Sequence, residues 1–246
     1  MLTDTGLMKR RQQRFLWMKA FSLLGLALSG LLNLDHPAWG QSSRVLRIYL
    51  ARHGETDWNA EHRFQGRTDT VLNATGLQQA AKLAESLKGI HFDAVYSSSL
   101  RRSRDTADIV RGEVPLKIVA GLNGRGVGKF EGKFLDRRKD PLTSEEYPKR
   151  SRDPDDELDG GESLNQFDAR VHATIEDICS QHGSGTILVI GHAVTNQMIL
   201  RWIFHLALQQ AISIKQANDE VYLIELDGSN APRLWKLITE ANLGDL

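Results

Sequence analysis

The apolar residues of this chain follow two spacings that alternate along most of its length. Short β-prone runs predict strands at Val45–Ala51, Ala94–Ser97, Leu116–Val119, Thr186–Ile190, Val221–Leu226 and Arg233–Ile238. Between these runs, apolar residues recur every three or four positions. This spacing predicts helices after an N-cap at Thr75 and over Ser99–Arg111, Ser163–Gln181 and Val194–Phe204.

The run Thr186–Ile190 indicates how these elements are layered. It does not alternate between polar and apolar residues, and such continuous runs are typical of parallel strands that are covered on both faces. Strands that alternate with helices favour an α/β fold. We therefore expect a three-layer α/β/α sandwich built on a mostly parallel sheet.

Residues 1–40 do not share this alternation. A basic segment ending at Lys19 precedes the uncharged apolar run Ala20–Leu34, and Ala38-Trp39-Gly40 resembles a signal peptidase site. The run of about fifteen residues is shorter than the roughly 20 that span a bilayer. We expect 1–40 to be a signal peptide, with an uncleaved signal anchor as the alternative. The domain at 41–246 would then be exported, periplasmic or extracellular, and membrane-bound only if the leader stays attached.

A second exception is the segment 129–161, which has little periodic apolar content. Its charges are basic from Lys129 to Arg152 and acidic from Asp153 to Asp159. Two interpretations are open: a short cap inserted over the carboxyl edge of the sheet, or a solvated loop whose opposite charges neutralise each other.

Composition restricts the partners only weakly. The chain has 31 Lys and Arg residues and 31 Asp and Glu residues, so its net charge favours no polyanionic partner. Because no basic patch is interleaved with aromatic residues, we expect no binding to nucleic acid.

Four residues suited to phosphate chemistry follow the predicted strands. Ligands of open α/β sheets bind outside the carboxyl ends of the strands. His53 and His192 come directly after two of these strands, Arg52 precedes His53, and Arg102 lies at the start of the helix after a third strand. We expect the four side chains to share one site.

These residue types match the requirements of phosphoryl transfer. Arginine presents a planar fork to phosphate oxygens, and a neutral imidazole can attack phosphorus to form a covalent intermediate. A second imidazole, as imidazolium, would stabilise charge on the equatorial oxygens. Gly54 would let the main chain approach the phosphate closely, and Asn59 could donate a hydrogen bond.

Several blocks, in order, resemble the phosphoglycerate mutase-like histidine phosphatases over about Val45 to Leu226. They are Arg52-His53-Gly54-Glu55-Thr56 with Trp58-Asn59, Arg63-Phe64-Gln65-Gly66, Leu72–Gln79, Ser98–Ala107, Gly161-Glu162-Ser163 and Gly191-His192. The resemblance implies that His53 is the nucleophile that accepts the phosphoryl group. It also implies that Arg52, Arg102 and His192 complete the phosphate pocket, with Asn59 as a further contact.

The same comparison suggests the remaining members of the site. We assign Gly54, Thr56, Arg125 and Glu131 to substrate binding, together with Asn59. The expected ligand is a phosphorylated small molecule or a phosphoprotein. No cofactor or metal is expected, because the arginines provide the positive charge that Mg²⁺ supplies elsewhere. The sequence does not indicate an oligomeric state.

One position departs from the family pattern. A glutamate after the third strand usually serves as the proton donor, and Gly124 occupies that position here, while Glu131-Gly132 preserve the alignment. General acid catalysis contributes typically about 10²–10⁴-fold. Three explanations are open: Glu131 or a water takes over, the substrate has a good leaving group, or activity is low.

Two other functions compete with phosphatase. A non-catalytic binding protein for phosphorylated ligands would keep the pocket without turnover, and Gly124 is the feature that favours it. A phosphoglycerate mutase would need to protect the phosphohistidine from water. Because the insertion Lys133–Gly160 is short, we expect hydrolysis to dominate.

Overall fold

A mixed sheet of seven strands organises the chain. The computed structural model describes residues 44–228, 231–238 and 241–245, which belong to one compact unit, Ser42–Leu246. The predicted leader at 1–40 lies outside the described residues. Within the described ranges, no helix is long and apolar enough to cross a membrane.

The elements follow one another as an alternation of strands and helices. The strands are β1 (Val45–Arg52), β2 (Ala94–Ser97), β3 (Leu116–Ile118), β4 (Gly185–Gly191), β5 (Glu220–Asp227), β6 (Arg233–Ile238) and β7 (Ala241–Asp245). The helices are α1 (Asp57–Ala60), α2 (Ala74–Ser86), α3 (Arg101–Val110), α4 (Pro141–Arg150), α5 (Leu164–Ser180), α6 (Ala193–Phe204) and α7 (Leu208–Ser213).

The strand order places the candidate residues at one edge of the sheet. The order is β3-β2-β4-β1-β5-β6-β7, with parallel pairing from β3 to β1 and antiparallel pairing from β1 to β7. In the register of the parallel half, Arg52 pairs with Gly191 and Ser97 with Ile190. The carboxyl ends of β1, β4 and β2 are therefore adjacent.

Apolar side chains on both faces of the sheet confirm the three-layer prediction. Ile187 belongs to a buried cluster with Phe167 of α5, on the face that α5 and α6 cover. The next residue, Leu188, belongs to a second cluster with Leu83 of α2, on the face that α2 and α3 cover. Successive residues of a strand point to opposite faces, so a run that is apolar throughout fits a doubly covered sheet.

The predicted N-cap at Thr75 is wrong by two residues. α2 begins at Ala74, and the side chain of Asn73 accepts a hydrogen bond of 2.8 Å from the N–H of Gly76. Both residue types cap helices well. Asn73 takes this position because its own N–H donates to the carbonyl of Glu55 and its Nδ2 donates to the carboxylate of Glu55.

The segment 129–161 forms ordered structure of its own, including α4. Phe130 and Leu158 are buried together and pack against Tyr147 of α4. Arg150, at the end of α4, forms ion pairs of 2.7 Å with both Asp156 and Asp159. The basic and acidic halves therefore pair with each other, within a folded segment that has an apolar centre rather than in a solvated loop.

Candidate active site

The two histidines that follow β1 and β4 lie side by side. The main-chain N–H of His53 donates to the carbonyl of Gly191 over 3.1 Å, which extends the pairing of the two strands by one residue. The ring centroids of His53 and His192 are 5.0 Å apart, and the rings are tilted by 59°. Both side chains are almost fully buried.

Arg102 reaches the same place from the first turn of α3. Its side chain is 2% exposed. Nη1 donates to the carbonyl of Thr68 at 2.8 Å and Nη2 donates to the carbonyl of Gly66 at 2.9 Å, while Nε has no hydrogen-bond partner among the described residues. The guanidinium is thus held by main-chain oxygens and keeps its charge for a ligand.

Arg52 is held in a similar way. Its Nη1 donates to the carbonyl of Gln216 at 3.0 Å, and its Nε is buried with no partner in the described part of the chain. Burial lowers the pKa of both Arg52 and Arg102 to about 10. Both remain cationic at neutral pH, so two positive charges face the site.

The environment of His53 suits a nucleophile. Burial lowers its pKa well below the ordinary value, and the charges of Arg102 and Arg52 lower it further. Nδ1 lies 2.7 Å from the carbonyl of Gly54. Because a carbonyl only accepts, this hydrogen bond places the proton on Nδ1 and leaves the lone pair on Nε2. The ring is therefore neutral and has a free nucleophilic nitrogen.

The pKa of His192 is also lowered in this environment, so the ring is neutral without a bound anion. Burial lowers its pKa, followed by the charges of Arg102, His53 and Arg52. Its Nε2 lies 2.9 Å from the hydroxyl of Ser98, and its Nδ1 is buried without a partner in the described residues. An incoming dianion would favour protonation, because it opposes the Coulombic part of the shift.

The four side chains line one cavity of about 790 Å³. Its wall also contains Asn59, Gly124 and Arg125, so three further predicted site residues meet the histidines there. The remaining lining residues are Glu55, His62, Arg63, Phe64, Gln65, Gly66, Val127, Leu135, Asp136, Tyr147, Ala193, Val194 and Asn218.

The structure places Gly124 beside the reacting groups. A β-carbon built on Gly124 would lie 3.7 Å from Nη2 of Arg102 and 3.7 Å from Cγ of His192. It would also lie 3.0 Å from the carbonyl oxygen of Gly66. A longer side chain at this position would therefore project among the phosphate-binding groups, with little space at its base.

Thr56 and Asn59 have different positions although they lie on one turn. Thr56 is the N-cap of α1, is fully buried and does not line the cavity. Its hydroxyl lies within hydrogen-bond distance of Gln65 and Asn59. Asn59 lines the cavity and accepts from the N–H of Thr56. Thr56 thus positions Asn59, and its own contact with substrate stays a prediction.

Gly54 also has a different role from the one expected. It is not part of the cavity wall, and its N–H donates to the hydroxyl of Thr106 over 3.0 Å. A β-carbon at Gly54 would lie 2.4 Å from the carbonyl oxygen of Gly76. The glycine is required because α2 approaches the chain here, rather than because a phosphate does.

Glu131 holds the chain segment that carries Gly66. Its Oε1 accepts from the N–H of Arg67 at 2.9 Å, and its Oε2 accepts from the hydroxyl of Thr68 at 2.5 Å. The side chain does not line the cavity. Because Thr68 and Gly66 bind Arg102, Glu131 is connected to the site through Arg102, and its contact with substrate stays a prediction.

Arg125 is buried beside the cavity. Its Nε donates to the carbonyl of Glu162 at 2.9 Å, and its Nη2 is buried with no partner among the described residues. Burial lowers the pKa of Arg125. An unpaired buried donor is costly, so this group is well placed to bind a ligand.

A buried ion pair that sequence analysis did not identify supports the loop of Gly124. Nε and Nη2 of Arg170 donate to the carboxylate of Glu162 at 2.8 and 2.7 Å. Nη1 of Arg170 also donates to the carbonyls of Gly121 and Asn123. Glu162 belongs to the Gly-Glu-Ser block, which was a motif match without an assigned role.

Comparison with known proteins fits this geometry. Residues 48–237 match the model of the histidine phosphatase superfamily (branch 1). The chain belongs to this superfamily. It is 31% identical over 191 residues to a probable phosphoglycerate mutase, GpmB, of Shigella boydii, which covers 75% of this chain and 87% of that protein.

Phosphatases are also among the similar proteins. The chain is 32% identical over 171 residues to the broad-specificity phosphatase YOR283W of Saccharomyces cerevisiae, covering 65% of this chain and 71% of that one. The alpha-ribazole phosphatase of Shigella flexneri superposes with a TM-score of 0.65 at 25% identity, covering 72% of this chain and 89% of that one. The predicted family and fold are confirmed, and phosphatases are among the relatives, as the sequence analysis expected.

Among the residues that the structure describes, no group of three or more His, Cys, Asp or Glu side chains could hold a metal ion.

Proposed function

We propose that this protein is a phosphatase that transfers a phosphoryl group to His53 and then to water. The observation that carries the proposal is the neutral ring of His53, whose Nε2 is free, in a cavity that it shares with two cationic arginines and His192. Nε2 attacks phosphorus in line, the leaving group departs, and water cleaves the phosphohistidine. Arg52, Arg102 and His192 bind the charge that develops on the phosphoryl oxygens.

The substrate has a leaving group that needs little protonation. Gly124 cannot donate a proton, and both oxygens of Glu131 are engaged by Arg67 and Thr68. The cavity wall contains two carboxylates, Glu55 and Asp136. Asp136 is a poor proton donor because its hydrogen bonds to Arg138 lower its pKa. We therefore expect aryl phosphates, acyl phosphates and phosphoanhydrides to react faster than alkyl phosphates.

Hydrolysis is favoured over mutase activity by the open wall of the cavity. The exposed side chains of His62, Leu135 and Val194 are part of that wall, so water has access to His53. Incubation with 3-phosphoglycerate separates the two activities, because a phosphatase releases inorganic phosphate whereas a mutase forms the 2-isomer.

The direct test uses p-nitrophenyl phosphate without added metal. The proposal predicts turnover that His53→Ala abolishes, together with a phosphorylated protein that mass spectrometry detects after rapid quenching. His91→Ala is the matched control, because His91 is exposed and is not part of the cavity wall. Absence of turnover together with clear calorimetric binding of phosphate would instead support the non-catalytic binding protein.

We further propose that the domain acts outside the cytoplasm. The support is the order of the basic segment, the apolar run Ala20–Leu34 and the small residues before Gln41. Fractionation of cells followed by N-terminal sequencing tests this. An exported protein that begins at Gln41 supports it, and a protein retained in the cytoplasm with its leader intact contradicts it.

A further inference from the structure

A second cavity of about 470 Å³ lies between α4 of the insertion and the helices α6 and α7. We call it the annex. Its wall is largely apolar and includes Pro148, Leu164, Met198, Leu208 and Ile212. The volume falls within the range of small-molecule sites. No Asp or Glu lines it, and its charged residues are Arg125 and Arg152.

The annex adjoins the cavity that contains His53. Five side chains line both: Phe64, Arg125, Leu135, Tyr147 and Val194. Four of the five present apolar or aromatic surface, and the fifth is the buried arginine whose Nη2 has no partner among the described residues. A ligand that begins at His53 and extends past Arg125 therefore enters an apolar chamber.

Exposed apolar residues converge on this chamber. Leu135, Val194 and Ile212 are 49%, 41% and 44% exposed, and all three line the annex. Single exposed apolar side chains are common on protein surfaces. Several that line one concave site, next to a reactive centre, indicate a binding surface.

We propose that the annex binds the leaving group of the substrate, and that this group is an apolar chain or ring system. The proposal rests on the phosphatase function proposed above and adds the class of substrate, an amphipathic phosphoric ester or anhydride. Arg125 lies where the polar and apolar parts of such a molecule would meet, and its Nη2 would bind an oxygen at that junction. The absence of acidic residues from the wall suits an anionic ligand.

The test uses a series of 4-n-alkylphenyl phosphates, from methyl to pentyl. Their phenols have nearly equal acidity, so differences in kcat/KM report the binding of the chain. Burial of each methylene is expected to raise kcat/KM by up to about fourfold. We expect a gain of at least about tenfold from methyl to pentyl. Equal values across the series would overturn the proposal.

Two matched variants localise the effect. Ile212→Asn places an amide in the annex and is expected to reduce the pentyl-to-methyl ratio, measured within the variant, to less than about threefold. Ile118→Asn makes the same change at a residue of β3 that is 52% exposed and lines neither cavity. The control is expected to keep the full ratio. An unchanged ratio in Ile212→Asn would show that the chain binds elsewhere.

A binding experiment keeps this inference separate from the phosphatase proposal. Non-hydrolysable n-alkylphosphonates, measured by calorimetry, should bind more tightly as the chain lengthens, and Ile212→Asn should remove that dependence. Loss of all aryl phosphate turnover with this dependence intact would contradict the phosphatase but not the annex. Turnover that depends on His53, without any dependence on chain length, would contradict the annex alone.

Discussion

The carbonyl oxygen of Gly76 lies so close to Gly54 that a β-carbon on Gly54 would be 2.4 Å from it. The approach is reciprocal, because a β-carbon on Gly76 would lie 2.1 Å from the carbonyl oxygen of Glu55. Two hydrogen bonds tie the same two segments together: the N–H of Asn73 donates to the carbonyl of Glu55, and the N–H of Glu55 donates to the side-chain oxygen of Gln79. The first turn of α2 thus packs directly on the chain that carries His53.

Gly54→Ala is expected to destabilise the fold. The added methyl would overlap main-chain atoms that cannot rotate away, and overpacking costs typically about 1–3 kcal/mol. We expect the free energy of unfolding, measured with urea, to decrease by an amount in the upper half of that range. Gly183→Ala is the control, since nothing lies within 4 Å of its β-carbon position, and it should change stability by less than about 1 kcal/mol. Similar values for the two variants would show that α2 can move away.

Gly124→Glu should restore proton donation to the leaving group. With an alkyl phosphate as substrate, we expect kcat/KM of Gly124→Glu to exceed kcat/KM of Gly124→Gln by about 100-fold. This is the lower end of what a general acid contributes. With p-nitrophenyl phosphate, the ratio of kcat/KM between the glutamate and glutamine variants should stay below about 10. The glutamine variant is the control because both side chains crowd Gly66 equally at the β-carbon. Equal ratios for the two substrates would mean that the acid acts from another position.

Ser98→Ala should impair the reaction through His192. The substitution removes the hydroxyl that lies 2.9 Å from Nε2 of His192 and leaves that nitrogen without its partner. An unsatisfied buried group costs about 1–3 kcal/mol, so we expect kcat/KM to fall by about tenfold or more. Ser97→Ala is the matched control, because Ser97 is equally buried and its hydroxyl bonds only to the main chain. Equal losses would point to general disruption of β2.

A role in positioning His192 also predicts a change besides the rate. The pH dependence of kcat/KM should shift in Ser98→Ala, because the ring nitrogen that loses its partner belongs to a titrating group. A lower rate with an unchanged pH profile would contradict this role and leave only a packing effect.

Stability should fall when the pH drops below about 6.5, the ordinary pKa of histidine. Burial holds the pKa values of His53 and His192 below that value in the folded protein. The unfolded chain therefore binds protons that the folded chain does not, and each group contributes a slope of about 1.4 kcal/mol per pH unit in this window. Urea titrations at several pH values between 7.5 and 5 measure this slope of the free energy of unfolding.

Variants assign that slope to the site. His192→Asn should remove the contribution of one histidine, whereas His172→Asn should retain the full slope because its side chain is 50% exposed. Carboxylates affect the free energy of unfolding at lower pH than the histidines do. Burial raises the pKa of Glu162, but its hydrogen bonds with Arg170 hold that pKa below its usual value. A slope in His192→Asn equal to that of the unchanged protein would contradict the assignment.

The sequence predicted the layers of the fold and the meeting of Arg52, His53, Arg102 and His192 in one cavity, for a physical reason. The spacing of apolar residues determines where strands end, and in a parallel sheet those ends lie along one edge. His53 and His192 therefore had to be neighbours once β1 and β4 paired. Arg102 followed because its helix starts directly after β2.

Sequence analysis missed contacts that join distant segments of the chain. Gly54 is close to α2, and Glu131 binds the loop of Thr68, but neither contact leaves a periodic signal. The ion pair of Glu162 with Arg170 was also not predicted, although Arg170 was in a predicted helix and Glu162 in a matched motif. In α4, the apolar side chain of Leu142 is 80% exposed, so the helix lacks the one-sided pattern by which helices are recognised.

Arg52 and Arg102 are anchored by carbonyl oxygens, and neither has an ion pair within the described residues. Dipoles can orient a guanidinium group but cannot cancel its charge. Asp69 and Glu131 attract Arg102, yet Arg52 still repels it, and a bound counterion would offset this repulsion. Inorganic phosphate, the product of the proposed reaction, can act as that counterion. It should therefore protect the folded protein from heat and also compete with substrate, so that product accumulation preserves the enzyme while slowing it.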